Sequence, residues 1–465
     1  MKTIAVIGAG FSGTLLALHL LRRCPPSTRI HLIERNRQFG PGAAYATGNP
    51  SHLLNVPAGR MSAFRDRPRD FLDWMGTQND AQYAVDGLTE KSFVARQRFG
   101  AYIRALLLDE MRQSRNFGRL KLSRGDVVSL DDDGGRLTLD FGRGRTVEAD
   151  VAVLAIGNFP PEPPPGLGPE ILDSPFYQPD PWVPAAGALD PAAPVLIIGT
   201  GLTTVDAVVN LLDKGHRGPI HALSRRGLLP RCHAIDGGSG AGSPQIALPG
   251  GLRQLTRLLR QDSREVMRRG GSWQTVIDEL RPFTQDIWAT LSAADRQRFL
   301  RHLRPWWDVH RHRMAPALSD RIEEARACGQ LSIHAGRIRA FRRFDGVQAG
   351  VEVSFQRRRS GEMASLRVRR IINCAGPGCD YARIAHPLIR GLLDAGLVRP
   401  DPMHLGLDVT ANCALRHRDG AISRRLFAVG PVTKGAFWEM TAVPDIRRQC
   451  EFLGEFLASH ITWLR

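Results

Sequence analysis

The sequence predicts an α/β fold in which one strand–turn–helix unit occurs twice and a helical region is inserted. An apolar strand pattern at residues 2–7 leads into a glycine-rich turn and an apolar helix pattern. A second strand, turn and helix of the same design begins at residue 195. From about residue 231 to 325 the pattern changes to amphipathic helices. Because 465 residues exceed one ordinary core, we expect separate structural units.

Composition narrows the class of protein. A hydrophobic share of 43% with 23% charged residues is typical of a soluble globular chain. No run of about 18 apolar residues is present, so we expect no membrane-spanning segment and no membrane partner. The net charge is +17, but the basic residues are mostly Arg and are spread along the whole chain. Without a basic tail or a nucleic-acid-binding motif, we expect no nucleic acid partner. The sequence leaves the oligomeric state undefined.

The cysteines and histidines indicate a reducing compartment and no metal. The seven Cys are an odd number in a long chain that begins without a signal peptide pattern, which predicts a cytoplasmic protein without disulfides. Cys374 and Cys379 form a CxxxxC pair, for which structural packing is favoured and a redox role stays open. His310 and His312 form an H-x-H pair, too weak a pattern to predict a metal site.

The first glycine-rich turn predicts a dinucleotide-binding domain of the Rossmann type. The first Gly permits a tight turn, the second lets backbone N–H groups approach a pyrophosphate, and the third lets the helix pack on the strand. Glu34 ends the next strand pattern, where its carboxylate can accept hydrogen bonds from ribose hydroxyls. The helix N-terminus stabilises phosphate charge. The candidate cofactor-binding residues of the turn are Gly8, Gly10, Phe11, Ser12 and Gly13.

The second glycine-rich turn predicts a second dinucleotide site with a different preference. Gly199 and Gly201 repeat the first two glycines, and Thr204 replaces the third. The following strand pattern ends in Arg225 and Arg226, where the first unit has an acid. Arginines suit the 2′-phosphate of NADPH through charge-assisted hydrogen bonds. We therefore expect NADPH at this site, with NADH as the alternative cofactor. The remaining interpretation is that the two arginines are solvated turn residues without a ligand.

Two such units in one chain predict FAD in the first and a nicotinamide in the second, so that hydride passes between them. Apolar strands followed by Gly157 and by Gly376 mark the points where the chain crosses between domains, and we expect close backbone approach there. The predicted domains are an FAD-binding part at 1–158, an NAD(P)H-binding domain at 190–380 that includes the helical insertion at about 231–325, and a second FAD-binding part at 381–465.

The irregular segment 40–64 begins a few residues after Glu34. Irregular backbone leaves N–H and C=O groups free for a ligand, so this loop is expected to travel along the FAD. A backbone amide at Val128 is expected to face adenine. The C-terminal strand, turn and helix are expected to return to the flavin, with backbone N–H groups near Thr441 facing its ring or the pyrophosphate. The further candidate cofactor-binding residues are Asn55, Val56, Met61, Ser62, Val128, Gly157, Gly376, Gly430 and Thr441.

Several stretches together resemble a known family. These are "VIGAGFSG", "GAAYATGNPSHLLNVPAGRMSAF", "VLIIGTGLTTVD", "WDVHRHRMAP", "INCAGP" and "GAFWEMTAVPDIRRQ". The chain is similar to bacterial FAD/NAD(P)-binding oxidoreductases with the two-dinucleotide-domain architecture of flavin monooxygenases. The resemblance implies reduction of FAD by NADPH, then attack of O₂ to form a C4a-(hydro)peroxyflavin, and in some relatives N-hydroxylation. Pro431 stands where many such proteins carry an Asp for the ribityl chain, so no such carboxylate is assigned.

The substrate is expected to be a small molecule, and no catalytic base is visible. Two other functions stay open: an NAD(P)H:acceptor oxidoreductase or dehydrogenase without oxygen insertion, and a flavin redox sensor with poor turnover. The candidate substrate contacts are His52, Arg60, Arg96 and His310.

Overall fold

The computed structural model describes residues 1–78, 87–183, 185, 187–234, 251–346 and 348–463, and the chain divides into two compact units. The first unit comprises Met1–Pro50, Val56–Phe159 and Gly378–Arg465, and the second comprises Ser51–Asn55 and Pro160–Pro377. The short segment 51–55 thus belongs to a different unit from the sequence that flanks it on both sides. Residues 160–189, which the sequence left unassigned, lie in the second unit.

Strands and helices alternate as the α/β prediction requires. The strands are β1 (Thr3–Ile7), β2 (Arg29–Glu34), β3 (Leu120–Arg124), β4 (Ser129–Asp132), β5 (Leu137–Asp140), β6 (Thr146–Ala149), β7 (Val151–Leu154), β8 (Tyr177–Gln178), β9 (Val195–Ile198), β10 (Ile220–Ser224), β11 (Leu331–Phe344), β12 (Gly350–Arg357), β13 (Met363–Val368), β14 (Arg370–Asn373), β15 (Ala414–Arg416) and β16 (Ile422–Ala428). The α-helices are Phe11–Arg23, Gly42–Tyr45, Asp70–Gly76, Arg96–Arg112, Pro169–Leu172, Leu202–Asp213, Leu252–Arg268, Trp273–Leu280, Thr284–Thr290, Ala293–Arg298, Arg304–Arg311, Pro316–Ala327, Pro387–Asp394 and Val443–Trp463.

The first unit is built on a sheet in the order β15-β16-β7-β1-β2-β3. The strand β1 lies between β7 and β2, is parallel to both, and is buried along its whole length. Strands covered on both faces are continuous apolar runs, which is why β1 and β7 show no alternation. In open α/β sheets, ligands bind beyond the carboxyl ends of such strands.

The second unit contains a sheet in the order β13-β12-β11-β10-β9-β14-β8. Four strands, β8, β14, β9 and β10, run parallel to one another and to the first part of β11. The strand β11 then continues as an antiparallel meander with β12 and β13. Ser224 at the end of β10 pairs with Ala335 of β11. This register places the start of the meander beside the carboxyl end of β10.

The helical insertion agrees with the amphipathic pattern of its sequence. Ser272 and Ser292 are N-caps whose hydroxyls accept the amides of Gln274 and Asp295. A small apolar core holds these helices together and includes Leu255, Leu280 and Ile287. Residues 235–250 of the expected insertion lie outside the described residues. Within the described chain, no helix is both long and apolar enough to cross a membrane.

Candidate cofactor sites

A cleft lies at the carboxyl ends of β1, β2, β3 and β7 in the first unit, with a cavity volume of about 200 Å³. Residues from both parts of this unit, before and after the second unit in the chain, form its walls. The walls include Gly8, Gly10, Phe11, Ser12, Glu34, Pro41, Tyr45, Asp126, Val127, Gly157, Phe159, His386, Pro431, Thr441 and Ile446. The structure therefore brings the first glycine turn, Glu34 and the C-terminal turn together, as the sequence predicted.

The glycines of the first turn are required by close backbone contacts. Gly8 has φ +101°, and a Cβ there would lie 2.3 Å from the carbonyl oxygen of Ala155. A Cβ at Gly13 would lie 1.9 Å from the carbonyl oxygen of Gly8, and one at Gly10 would meet the Cα of Gly42 at 3.3 Å. The tight turn and the close helix packing predicted for Gly8 and Gly13 are therefore present.

The helix Phe11–Arg23 begins at this turn and has no acidic residue in its first turn. Free N–H groups at a helix N-terminus stabilise a phosphate, and an acid in the first turn would compete for them. Gly430 approaches the same place, since a Cβ there would lie 2.5 Å from Ser12 Oγ. The amide of Gly430 donates to Gln449 Oε1 at 2.7 Å, which ties the C-terminal turn to the helix Val443–Trp463.

Glu34 is 5% exposed and ties the turn to the end of β2. Its Oε2 accepts the Ala9 amide at 2.8 Å, and its Oε1 accepts the amide and the side-chain Nδ2 of Asn36 at 2.8 and 2.9 Å. An ionised carboxylate has about four acceptor positions, so these three bonds leave capacity for a ribose hydroxyl. The free acceptor capacity of Glu34 and the glycine turn thus fit the adenosine part of FAD.

The loop after Glu34 contributes its first turn to the cleft, from Pro41 to Tyr45. Sequence reasoning placed the contacts further along, at Asn55, Val56, Met61 and Ser62, none of which is among the described residues lining the cleft. The glycine at position 42, which approaches Gly10, was the signal for the earlier contact.

Two of these later residues have hydrogen-bond partners within their own units, and a third is buried. Asn55 belongs to the second unit, where its carbonyl oxygen shares a 3.0 Å hydrogen bond with His233 Nε2. Met61 is 2% exposed and Ser62 is fully buried. The Ser62 hydroxyl donates to the carbonyl oxygen of Arg67 at 2.6 Å. These polar groups are therefore engaged by the protein.

Two backbone amides expected to face the cofactor are used within the fold. The Val128 amide donates to the Asp140 carbonyl at 2.8 Å because Val128 directly precedes β4, which pairs with β5, and Asp126 and Val127 line the cleft instead. Thr441 does line the cleft, but its amide donates to the carbonyl oxygen of Glu439. The amide contacts predicted at Val128 and Thr441 are therefore not available in this conformation.

The two crossing glycines have a conformational reason. Gly157 has φ +69° and Gly376 has φ +98°, values that favour glycine. A Cβ at either position would find no described atom within 4 Å, so the expected close backbone approach is wrong. Gly157 nevertheless lines the first cleft, as its assignment as a cofactor-binding residue requires.

The second glycine turn lies between β9 and the helix Leu202–Asp213 in the second unit. Gly199 has φ +119°, and a Cβ there would lie 2.2 Å from the carbonyl oxygen of Cys374. Gly201 is the N-cap of the helix, and a Cβ there would find no described atom within 4 Å. Thr204 is buried at the position of the third glycine. The turn keeps the first glycine's tight contact while its second position stays open.

The arginines after β10 have different surroundings. Arg225 is exposed. Arg226 donates through Nη2 to the carbonyl oxygen of His302 at 3.2 Å, and its guanidinium carbon lies 5.9 Å from the centre of the Trp306 ring. Arg226 is thus tied to the helical insertion, whereas Arg225 faces solvent. The sequence, which treated the two as equivalent, could not separate these roles.

The candidate substrate contacts are dispersed. His52 is 6% exposed, shares a 3.1 Å hydrogen bond with the carbonyl oxygen of Asp206, and meets the Trp182 ring edge-on. Arg60 is exposed in a 3₁₀ turn. His310 shares a 2.7 Å hydrogen bond with the Trp306 carbonyl of its own helix. None of these three lines the first cleft within the described chain.

Arg96 begins the helix Arg96–Arg112 in the first unit. It lies near Tyr45, whose pKa burial raises to about 12 while the Arg96 charge acts in the opposite direction. Tyr45 lines the cleft and packs on Phe11 and Phe99. Arg96 itself is not among the described residues that line the cleft.

Of the CxxxxC pair, Cys374 lies in the packed interior. Cys374 is 5% exposed, and burial raises the pKa of its thiol, the opposite of what a reactive thiolate needs. Both Cys374 and Cys379 are free thiols. Among the residues that the structure describes, no group of three or more His, Cys, Asp or Glu side chains could hold a metal ion.

Sequence comparison agrees with this site. Residues 5–159 match a family model described as FAD-NAD(P)-binding, so the dinucleotide cofactor expected for the N-terminal part is confirmed. A curated Escherichia coli (strain K12) protein, YdhS, is 26% identical over 260 residues. That match covers 50% of this chain and 46% of the relative, so the chain spans about half the length of that protein.

Solved structures extend the likeness over the whole chain at the level of the fold. Ornithine hydroxylase PvdA from Pseudomonas aeruginosa superposes with a TM-score of 0.64 at 15% identity and covers 99% of both chains. The ornithine N-hydroxylase of Kutzneria sp. 744, solved with reduced FAD, NADP⁺ and L-ornithine, gives 0.59 at 14% identity over 97% of both chains. The two-dinucleotide-domain flavoprotein fold is therefore confirmed.

Proposed function

We propose that the protein is an FAD- and NADPH-dependent monooxygenase that inserts oxygen into a small amine. The observation that carries the proposal is that one chain contains two different glycine turns. The first lines a cleft together with the acid Glu34, and the second belongs to a unit whose next strand is followed by arginines. The full-length fold likeness to ornithine hydroxylases supports the oxygen chemistry. FAD, when bound, supplies hydride acceptance from NADPH and reaction with O₂.

The residues of the first unit would bind and orient the cofactor. Glu34 would hold the adenosine ribose, and the amides at the start of the helix Phe11–Arg23 would meet the pyrophosphate. The aromatic wall of Phe11 and Tyr45 would exclude water from that side of the cleft. In the overall reaction one atom of O₂ enters the substrate, the other leaves as water, and NADPH supplies two electrons.

The test is a product assay with isotopically labelled O₂. The purified, FAD-loaded protein is mixed with NADPH and a panel of primary amines that begins with L-ornithine. A monooxygenase consumes NADPH faster with a substrate and transfers label into a hydroxylated amine, with little hydrogen peroxide. Consumption that yields only peroxide, or reduction of an added acceptor without label in the product, would overturn oxygen insertion in favour of an NAD(P)H:acceptor oxidoreductase.

A flavin-bound sensor is distinguished by reduction itself. Anaerobic NADPH should bleach the flavin absorbance completely within the turnover time of the assay. A protein that holds FAD but is not reduced by either nicotinamide would favour the sensor. A purified protein that binds no FAD would remove the basis of the proposal.

A further inference from the structure

An arginine from a distant part of the sequence borders the turn that follows β10 in the second unit. Arg358 follows β12 and is separated from Arg225 by 133 positions. Its Nη1 donates to the carbonyl oxygen of Arg225 at 3.3 Å, and its own amide donates to the carbonyl oxygen of Ala335 at 2.9 Å. The backbone and the side chain of Arg358 are therefore both anchored beside the turn after β10.

The sheet register fixes this arrangement. Ser224 pairs with Ala335, and Gly336 pairs with Arg357 across the antiparallel meander. Gly227 closes the turn against the same strand, since a Cβ there would lie 3.0 Å from the Cβ of Ala335. Because the carboxyl end of the second strand of such a unit is where the adenosine ribose lies, Arg358 is held at the ribose position.

The other groups at this turn are already engaged. The Ser224 hydroxyl is within 2.9 Å of Thr200 Oγ1 and accepts the Gly227 amide at 2.9 Å. Arg226 is directed to the helical insertion. In the described part of the chain, neither Arg225 nor Arg358 forms an ion pair, so both positive charges remain for an anion.

We propose that Arg358 is a specificity-determining residue which, together with Arg225, binds the 2′-phosphate of NADPH. The inference rests on the proposed function, because it assigns a residue to that nicotinamide site. Two guanidinium groups at one turn can each donate to a phosphate, and such charge-assisted bonds are about twice as strong as neutral ones. The pair thus replaces the Arg225–Arg226 pair that the sequence pattern favoured.

The experiment measures ligand binding by calorimetry on the FAD-loaded protein, without turnover. The probes are 2′,5′-ADP, which carries the 2′-phosphate, and 5′-AMP, which lacks it. Arg358→Gln should weaken 2′,5′-ADP by about tenfold and leave 5′-AMP unchanged. Arg359→Gln, a neighbouring exposed arginine in the same turn, is the matched control and should change both ligands by less than about twofold.

Two results would overturn the assignment. An Arg358→Gln variant that binds 2′,5′-ADP like the parent protein removes the role of Arg358, and so does equal weakening of both probes, which would indicate a general effect on the turn. A parent protein that binds the two probes equally, yet is reduced by NADH, would instead overturn the NADPH preference while leaving the oxygen chemistry in place.

Discussion

The two glycine-rich turns begin alike and end differently. In both, the first glycine has a positive φ and lies against a carbonyl oxygen, of Ala155 in one unit and of Cys374 in the other. In the first turn the third glycine is also locked, against Gly8, whereas the second turn accepts Thr204 there. Backbone geometry thus demands the first glycine in both units, and the later positions vary with the ligand and with helix packing.

The second strands of the two glycine-turn units, β2 and β10, lead into side chains of opposite charge. Glu34 accepts the Ala9 amide of its own turn and is buried, so it is part of the folded framework as well as the proposed ribose acceptor. Arg225 is exposed and stands beside Arg358. Under the proposed function, the first site would hold its cofactor tightly, and the second would receive a phosphate-bearing molecule from solvent.

The largest effect is expected from Gly13→Ala. Its Cβ would lie 1.9 Å from the Gly8 carbonyl oxygen, so the helix must move from the strand. We expect a loss of about 3 kcal/mol in the free energy of unfolding and no retained FAD, measured by denaturant titration and flavin absorbance. Gly201→Ala is the control, since its Cβ meets open space, and should cost less than about 1 kcal/mol. An equal loss in the free energy of unfolding from both substitutions would contradict the proposed difference between the two turns.

Glu34→Gln should weaken FAD binding by about ten- to a hundredfold without unfolding the protein. The amide has one acceptor oxygen for three donors from Ala9 and Asn36, and its NH₂ group faces one of them. Flavin fluorescence during FAD titration gives the dissociation constant. Glu148→Gln, an exposed residue paired with Arg136, should leave it unchanged. An unaltered constant in Glu34→Gln would show that this acid serves only the protein framework.

Arg225→Gln should raise the KM for NADPH by about tenfold and leave the KM for NADH unchanged, because only NADPH carries the 2′-phosphate. Steady-state flavin reduction with each nicotinamide measures both values. If the two KM values rose equally, the charge difference between the two strand ends would have no role in selecting the nicotinamide.

The smallest effect concerns pH and compares the two units. Burial, with the nearby His221 and Arg357 charges, lowers the pKa of His334 from 6.5 to about 4, and burial lowers that of His31 in the first unit to about 4. Between pH 6.5 and about pH 4, His334 stays neutral in the folded chain but takes up a proton in the unfolded chain. The stability it contributes is therefore present above pH 6.5 and is lost as the pH falls toward 4.

His334→Gln should reduce the difference in Tm between neutral pH and about pH 5, since one of the groups that must gain a proton is removed. His31, which shares a 2.6 Å hydrogen bond with Ser123, should continue to make the first unit acid-sensitive. Thermal unfolding followed by circular dichroism at the two pH values measures the change. An unchanged difference in Tm would assign the acid sensitivity to other groups.

Local patterns predicted the framework of both sites. The strands β1 and β9, the glycine turns and Glu34 follow from apolar runs and glycine spacing, since these features act within about 30 residues. Long-range contacts decided the rest. The Val128 amide is taken by Asp140 across a hairpin, and Arg358 reaches its turn only through the register of a meander. No single-sequence pattern reports such pairings.

The segment Ser51–Asn55 has a consequence for the order of synthesis. It belongs to the second unit, where His52 bonds the Asp206 carbonyl and Asn55 meets His233, yet it leaves the ribosome before the remainder of that unit. These five residues must wait for Pro160–Pro377 to be made, so the second unit can complete its contacts only late in translation. A fragment beginning at Pro160 would lack both contacts however well its own sheet formed.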